Sequence, residues 1–252
     1  MSSYSLYENT QIERLISKID SDRFGFMVAK LTPDISDVKT IIESLKKKSV
    51  RLVIARVPLT NVPLINKLEV EGFQYKDSQL TYNYCLDRIL PDRDCKELII
   101  TDYMPAHYDQ IMSLTEKSFS NYGHYFADDR IDKSKCRLIY MDWIDRCCTS
   151  KHVSDFFLVA EYNSKVAGYL ALKTENEVEG NFGRGVIGAV SPDFRGKGVF
   201  KEINIESLHR GRTMGLTRVE NNVLTTNYPV IRTYSSLSYY VIASSITMHC
   251  WL

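Results

Sequence analysis

The sequence lacks the features that mark membrane, secreted and nucleic-acid-binding proteins. No apolar run approaches the ~18 residues of a membrane span, and residues 1–5 lack the apolar core of a signal peptide. The 32 basic and 31 acidic residues leave a net charge of +1, without the basic excess that nucleic-acid binding requires. We therefore expect a soluble, cytoplasmic protein that binds neither nucleic acid nor membrane.

Metal, disulfide and common nucleotide motifs are also missing. The six cysteines include the adjacent pair Cys147 and Cys148, but none has C-x-x-C spacing. We expect reduced thiols without chemistry and no metal site. The sequence contains neither G-x-G-x-x-G after a strand nor G-x-x-x-x-G-K-[ST], so the Rossmann and P-loop phosphate sites are excluded.

Alternating helix and strand patterns predict an α/β fold around a mixed central sheet, with one large or two modest cores. A polar segment, Leu90–Lys96, predicts a linker between residues 1–92 and 96–252. The predicted elements that matter below are a strand at Phe24–Leu31, a helix at Asp34–Lys48, strands at Leu80–Leu86 and Gly183–Val190, and a helix at Gly198–Arg212.

The segment Val186–Phe200 is the most informative part of the chain. An apolar run ends at Ser191-Pro192, and Arg195-Gly196-Lys197-Gly198 then leads into the predicted helix. Unpaired N–H groups at a helix N-terminus favour anions, and glycines allow close approach of backbone to a pyrophosphate. The pattern favours a phosphate-bearing cofactor, and a solvated helix start is the competing interpretation.

This turn resembles the [Q/R]-x-x-G-x-[G/A] loop of the GNAT family of N-acetyltransferases. The resemblance implies that the loop holds the pyrophosphate of acetyl-CoA and that the preceding strand binds its pantetheine arm, with a backbone N–H near its end for the thioester carbonyl. Phe200 stands at the sixth position, where the family usually has glycine or alanine. The implied cofactor residues are Gly188, Ala189, Val190, Arg195, Gly196, Lys197, Gly198, Val199, Phe200 and Asn227.

The end of the chain carries a second part of the resemblance. Asn227 and Tyr234, ahead of a strand-like run, match the family's N…A…Y-x-x-x-G-F ending, with Ser238-Tyr239 in place of Gly-Phe. The resemblance implies that Asn227 contacts pantetheine and that Tyr234 protonates the departing thiolate. A tyrosine pKa near ~10 suits proton donation to a thiolate. A packed helix aromatic is the alternative for Tyr234.

The chain also contains a degenerate internal repeat. Asn61–Leu86 and Asn227–Leu252 align without a gap, and six pairs are identical, among them Asn61/Asn227 and Pro63/Pro229. We interpret residues 1–92 as a truncated subdomain of the same kind and 96–252 as the acetyl-CoA-binding domain. Leu68 stands opposite Tyr234, so only the second copy is expected to hold cofactor and catalysis.

The partial first domain and the segments Phe119–Arg130 and Cys136–Ile144 resemble the TDP-fucosamine N-acetyltransferase group. The resemblance implies a TDP-linked amino-dideoxy sugar, used for surface polysaccharide, as acceptor, and a homodimer. Other acceptors stay open: an amino acid, a polyamine or a peptide N-terminus. An aminoglycoside would demand an acidic cleft, which the near-neutral composition does not favour.

Aromatic and basic residues between two predicted helices are candidates for the acceptor site. Tyr122 and Tyr125, with Phe126, are suited to stack on a sugar or base, and His124 and Arg130 to meet phosphates. A packed aromatic hinge is the alternative.

Three acidic residues, Glu175, Glu177 and Glu179, precede the cofactor strand and are candidate bases, but a solvated turn is the favoured interpretation, so no general base is assigned. Two further hypotheses remain: an acyl-CoA-binding module without catalysis, and a chain that uses no CoA.

Overall fold

The computed structural model describes residues 12–35, 37–150, 152–178 and 180–252, and it confirms the α/β fold with mixed sheet pairing. The helices of these residues are α1 Lys18–Phe24, α2 Val38–Lys47, α3 Val62–Val70, α4 Tyr108–Ser118, α5 Lys133–Thr149, α6 Val199–Thr213 and α7 Tyr228–Ser236. The strands are β1 Val28–Leu31, β2 Leu52–Pro58, β3 Gln74–Cys85, β4 Ile99–Asp102, β5 Phe156–Tyr162, β6 Lys165–Glu175, β7 Phe182–Val190, β8 Arg218–Leu224 and β9 Tyr240–Trp251. No helix in these ranges is long and apolar enough to cross a membrane.

Local capping explains where the sequence prediction misplaced the first elements. The Ser17 side chain caps α1, and Gly25 ends it in the left-handed conformation at φ 74°, so the strand predicted from Phe24 begins only at Val28. The helix predicted from Asp34 begins after Asp37, whose carboxylate accepts the Thr40 N–H at 3.1 Å.

The structure divides into two compact units that are discontinuous in sequence. The first contains the described residues up to Gln79, Tyr122–Cys136 and Ala243–Leu252. Its β1 and β2 are parallel, and β2 pairs antiparallel with β9 from Leu52↔Trp251 to Pro58↔Ser245. The first core lies between these strands and the helices α2 and α3, where Leu45, Leu68 and Met248 are buried.

The second unit contains Leu80–Asn121 and Arg137–Ile242. Its strands follow the order β3-β8-β7-β6-β5-β4, with β7 and β8 parallel and the β4-β5, β5-β6 and β6-β7 pairs antiparallel. Its core packs α6 against the sheet through Ile203, Ile205 and Leu208, which are completely buried. This unit holds the glycine-containing turn and Tyr234.

The repeat is longer in the structure than in the sequence. The helix-strand pair α3-β3 recurs as α7-β9, and β2 recurs as β8, with every boundary shifted by 166 positions (52 to 218, 62 to 228, 74 to 240). β9 is the last strand of the second copy, yet it pairs with β2 in the first unit. Conversely, β3 is the last strand of the first copy, and it lies beside β8 in the second unit. This exchange explains the unit boundaries at Gln79 and Ala243, and the segment Tyr122–Cys136 joins the first unit separately. The proposed division at residues 92–96 stays a prediction.

Candidate functional site

The second unit contains an opening between the two parallel strands β7 and β8. Their ladder covers only Phe182–Arg184 opposite Arg218–Glu220, although β7 runs on to Val190 and β8 to Leu224. From Gly185 onward, the edge of β7 that faces β8 is outside this ladder. Backbone groups there are available to an extended ligand.

A β-bulge changes the direction of β7 at the start of this opening. Ala171 of β6 pairs with Ile187, and the next residue, Leu172, pairs with Gly185, so Val186 is an extra residue without a partner. A bulge bends and twists its strand. No sequence pattern marks the bulge, because the apolar run is continuous through Val186.

The turn after β7 adopts the conformation that its glycines permit. Gly196 and Gly198 have φ values of 75° and 76°, and a Cβ added to either would have no atom within 4 Å. The glycines are therefore required by backbone conformation, and the space beside them is open to a ligand. Arg195 and Lys197 are exposed, and neither forms an ion pair with any described residue. The Lys197 Nζ lies 5.1 Å from the centre of the Phe194 ring.

Helix α6 begins directly at this turn. Gly198 is its N-cap and supplies no side chain, and the first intrahelical bond runs from the Glu202 N–H to the Gly198 carbonyl at 3.0 Å. The earlier N–H groups of the helix have no intrahelical acceptor, as at every helix N-terminus. Val199 anchors the turn because its side chain is buried in the core.

Phe200 packs sideways into the core. Its ring lies 3.6 Å from the position of a Cβ on Gly188, and its centroid is 5.8 Å from that of Tyr234. The structure thus brings together three predicted residues, one each from β7, α6 and α7. Tyr234 exposes 3% of its surface and also contacts the Tyr82 and Tyr239 rings.

Asn227 stands at the N-cap position of α7, but its side chain makes no capping hydrogen bond. Its counterpart in the first copy, Asn61, accepts the Leu64 N–H at 3.3 Å. The sequences are alike here, with a proline in the first turn of both helices. The half-buried Asn227 amide therefore keeps its hydrogen-bonding capacity for another partner.

The predicted acceptor residues belong to the first unit, where His124 joins a polar cluster with the buried side chains of His249 and Asp128. His124 Nδ1 lies 2.8 Å from His249 Nε2, and His249 Nδ1 lies 2.7 Å from Asp128 Oδ2. The Asp128 carboxylate accepts from His249 Nδ1–H, and one further hydrogen bond joins His249 Nε2 to His124 Nδ1. Sequence reasoning missed His249 and Asp128, because no local pattern marks a contact across 121 positions.

The pKa values of His124 and Asp128 are both lowered, but for different reasons. Burial lowers the pKa of His124 well below its ordinary value, and the charges of His249 and Arg56 lower it further. Burial would raise the pKa of Asp128, but hydrogen bonds from His249 and Trp251 hold it well below the ordinary range. At neutral pH the cluster therefore holds neutral His124 beside ionised Asp128.

The other predicted acceptor residues differ in accessibility. The Tyr125 hydroxyl bonds to Asp20, and burial followed by the Asp20 charge raises the pKa of Tyr125. Arg130 is exposed, with its guanidinium 5.8 Å from the centre of the Trp251 ring, and Tyr122 is half-buried.

The acidic residues ahead of β7 are held in ion pairs. Glu177 contacts Arg218 at 2.7 Å, and Glu175 contacts Arg184 at 3.6 Å. Both lie at the Phe182 end of β7, opposite to the glycine turn. Glu179 lies outside the described residues.

The cysteines are free thiols, and several are deeply buried. Burial raises the pKa of Cys136 to about 11 and that of Cys147 to about 12, so these thiols stay protonated and are poor nucleophiles. Among the described residues, no group of three His, Cys, Asp or Glu side chains could hold a metal ion.

Comparison with solved structures shows the fold. The chain is similar to a GCN5-related N-acetyltransferase from Sphaerobacter thermophilus (TM-score 0.60, 10% identity, 91% of this chain and 74% of that chain). It is similar to another from Kribbella flavida (TM-score 0.58, 10% identity, 88% and 80%). A tandem GNAT protein from the clavulanic acid biosynthesis pathway, solved without AcCoA, gives a TM-score of 0.57 at 14% identity, over 89% and 75% of the chains.

Sequence comparison agrees with the fold. A search of curated proteins finds no significant match. A family model, the acetyltransferase (GNAT) family, matches residues 109–239, which contain the opening, the glycine turn and Tyr234. More than half of the chain is covered, and so the chain belongs to the acetyltransferase (GNAT) family.

Proposed function

We propose that this protein is an N-acetyltransferase that transfers the acetyl group of acetyl-CoA to the amine of a small acceptor. The family uses acetyl-CoA and implies acyltransferase activity. The observation that carries the proposal is the opening between β7 and β8, which leads to an exposed glycine turn at the N-terminus of α6.

The residues of the turn fit a CoA pyrophosphate. The left-handed Gly196 and Gly198 leave open space where other residues would carry a side chain, and the first N–H groups of α6, at Val199 and Phe200, favour an anion. Arg195 and Lys197 supply positive charge that no described acidic residue neutralises. Together these residues bind the diphosphate.

The opening fits the pantetheine arm. Gly188, Ala189 and Val190 lie on the part of β7 that has separated from β8, so their backbone groups can pair with the amides of an extended ligand. A backbone N–H along this edge of β7 is suited to bind the thioester oxygen. The uncapped Asn227 side chain is available to the same arm.

Acetyl-CoA supplies the activated acyl group. Tyr234 holds a proton on its phenolic oxygen and donates it to the departing sulfur, which makes the sulfur a better leaving group. Its ring is fixed by Phe200, Tyr82 and Tyr239, so the hydroxyl is held in one orientation. The general base that deprotonates the acceptor amine is not assigned.

For the acceptor we propose a nucleotide-linked amino-dideoxy sugar, such as a TDP-linked one. Arg130 supports this choice, since its exposed guanidinium beside the Trp251 ring is suited to a phosphate or a flat ring. His124 and Tyr125 remain acceptor residues in the proposal, together with Tyr122. A cytoplasmic location and a homodimer belong to the same proposal.

A thermal unfolding scan tests the proposal first. We expect saturating acetyl-CoA, at ~100 times its Kd, to add roughly 2.7 kcal/mol, which raises Tm by several degrees, while ATP and NAD give no comparable shift. Mass spectrometry with TDP-amino sugars, amino acids, polyamines and peptides then identifies the acceptor. The absence of a shift at millimolar acetyl-CoA would contradict the proposal, and binding without any acetylated product would support a non-catalytic acyl-CoA-binding module.

A further inference from the structure

At the closed end of the β7-β8 opening, the side chain of Asn221 lies unusually close to the backbone of Gly185. Arg184 and Glu220 form the last pair of the ladder, and the next residue on each strand is Gly185 and Asn221. A Cβ on Gly185 would lie 2.0 Å from the Oδ1 of Asn221 and 3.0 Å from its Cγ. The Asn221 carboxamide thus occupies the volume that any side chain at position 185 would need.

The same carboxamide has an unmet hydrogen-bonding group. Asn221 exposes 3% of its surface, and its Nδ2 is buried with no hydrogen-bond partner among the described residues. The Tyr239 hydroxyl is close enough to the carboxamide to interact with it electrostatically, but neither Nδ2 nor this hydroxyl completes a well-aligned hydrogen bond with any described residue. Buried polar groups without partners are rare and need an explanation.

The neighbouring asparagine shows that this is particular to position 221. Asn222 is exposed on the opposite face of β8, and its Oδ1 accepts the Thr81 hydroxyl at 2.8 Å. Successive residues of a strand alternate in direction, so Asn221 points into the interior of the second unit. An unsatisfied donor in the interior, next to a ligand opening, is the arrangement expected of a group that binds a ligand atom.

The position of Gly185 along β7 identifies the part of the ligand that Asn221 would contact. Gly185 lies five positions before Val190, which at about 3.3 Å per residue is roughly 17 Å of strand. The glycine turn that binds the diphosphate follows Val190, so the opposite end of an extended ligand lies toward Gly185. In an acyl-CoA, that end carries the acyl thioester.

We infer that Asn221 determines the acyl-group specificity of this site: its Nδ2–H donates to the acyl carbonyl oxygen, and its carboxamide closes the end of the opening against acyl groups longer than acetyl. The inference rests on the proposed function, because it requires that the chain bind acyl-CoA. It adds a side-chain donor to the backbone groups of β7 and gives Gly185 a role, which is to leave room for Asn221.

The test compares the binding of CoA, acetyl-CoA and propionyl-CoA by calorimetry, with no acceptor present. For the unchanged protein we expect acetyl-CoA to bind tighter than CoA by about fivefold, the equivalent of one neutral hydrogen bond, and propionyl-CoA to bind more weakly than acetyl-CoA. Asn221→Ala should abolish the preference for acetyl-CoA over CoA and remove the discrimination against propionyl-CoA, while the Kd of CoA stays unchanged.

Two further variants separate the hydrogen bond from the volume. Asn221→Leu is similar in size to asparagine but lacks the donor, so it should lose the preference for acetyl-CoA and still exclude propionyl-CoA. The matched control is Asn222→Ala, which should leave the three constants unchanged. If Asn221→Ala does not fold, Asn221→Ser, which also opens the site, takes its place.

The binding experiment distinguishes failure of the inference about Asn221 from failure of the proposed function. Equal weakening of CoA and acetyl-CoA in the Asn221 variants, or an unchanged ratio between them, would overturn the inference while acetyl-CoA binding by the unchanged protein upheld the proposed function. Failure of the unchanged protein to bind any of the three ligands would overturn both.

Discussion

The two copies of the repeat use one scaffold for different purposes. In each, a parallel strand pair is followed by a nine-residue helix with proline in its first turn and then by a twelve-residue strand. Even the left-handed residue between helix and strand recurs, as Gly72 at φ 85° and Ser238 at φ 64°. The scaffold therefore tolerates almost complete replacement of its sequence while its element boundaries are kept.

The two copies differ at the start of the helix that follows the first strand of each parallel pair, which is α2 after β1 and α6 after β7. In the first copy Asp37 places its own carboxylate on the N-terminus of α2, bonded to the Thr40 N–H and hydroxyl. In the second copy Gly198 provides no side chain, and the turn before it carries two exposed cations. One N-terminus is satisfied by a side chain of its own copy, and the other has no side-chain cap and is the proposed anion site.

The same contrast recurs in the following helix. Asn61 is used as a cap while Asn227 is not, and Leu68 is a buried core residue where the second copy has Tyr234. The proposed binding site therefore differs from the first copy mainly in its helix caps and in the residue at position 234. Four experiments test this contrast, in order of decreasing expected effect.

The largest effect is expected at Tyr234. Tyr234→Phe removes the proposed proton donor but keeps the ring, so turnover should fall by about 1,000-fold, or about 4 kcal/mol, with the Kd of acetyl-CoA nearly unchanged. Tyr82→Phe, in the same aromatic cluster, is the matched control and should retain activity. Equal losses in binding and turnover would mean that Tyr234 is structural.

The strand exchange predicts which unit each strand stabilises. Met248 of β9 is 1% exposed in the core of the first unit, and its repeat counterpart, Tyr82 of β3, is 5% exposed in the second. Met248→Ala should cost about 3 kcal/mol and lower the hydrogen-exchange protection of β2, whereas Tyr82→Ala should act first on β8. Loss of protection in the opposite units would refute the assignment of the exchanged strands.

The two helix N-termini can be compared by changing their caps. Gly198→Asp gives α6 a carboxylate like that of α2, and we expect acetyl-CoA binding to weaken by about tenfold or more, because the carboxylate repels the diphosphate. Asp37→Ala should instead cost about 1 kcal/mol of stability and leave the Kd unchanged. Titration calorimetry and thermal unfolding measure both, and unaltered binding by Gly198→Asp would exclude the turn as the anion site.

The smallest effect concerns the buried histidines of the first unit. The pKa of His124 is lower in the folded than in the unfolded protein, so the folded state binds fewer protons and stability falls as the pH drops below ~6.5. Asp128, with its pKa below the ordinary range, adds a loss only below about pH 4.

For this histidine we expect at least about 1 kcal/mol of lost stability between pH 7.5 and 5.5, seen as a lower Tm. The variant His124→Gln should flatten that part of the profile. A variant with the same slope as the unchanged protein would assign the pH dependence to other groups.

Much of the fold could be predicted because its signals are local. The apolar periodicity of α6 and the cap and proline residues of α3 and α7 lie within a few positions of each other. The predictions failed where a local signal competed with another: Gly25 ends a helix within the predicted strand Phe24–Leu31, and β3 begins six residues before the predicted Leu80 because its first half is partly polar.

The site residues that could be predicted likewise differ from the others in having a local sequence signal. The glycine turn, Asn227 and Tyr234 could be picked out because each lies in a short motif at an element boundary. Asn221, Val186 and His249 could not, because their significance comes from strand register and from partners far away in the chain, such as His124 at 125 positions from His249.

The class of fold, the repeat and the family of the glycine turn could be inferred from contiguous residues and their spacing. Three features became visible only in the folded chain: the exchange of the last strands between the copies, the separation of β7 from β8 after Arg184, and the position of Asn221 opposite Gly185 with an amide Nδ2 that has no partner among the described residues. The physical reason is that register and burial are set by the packing of all elements together, and no single stretch of sequence contains that information.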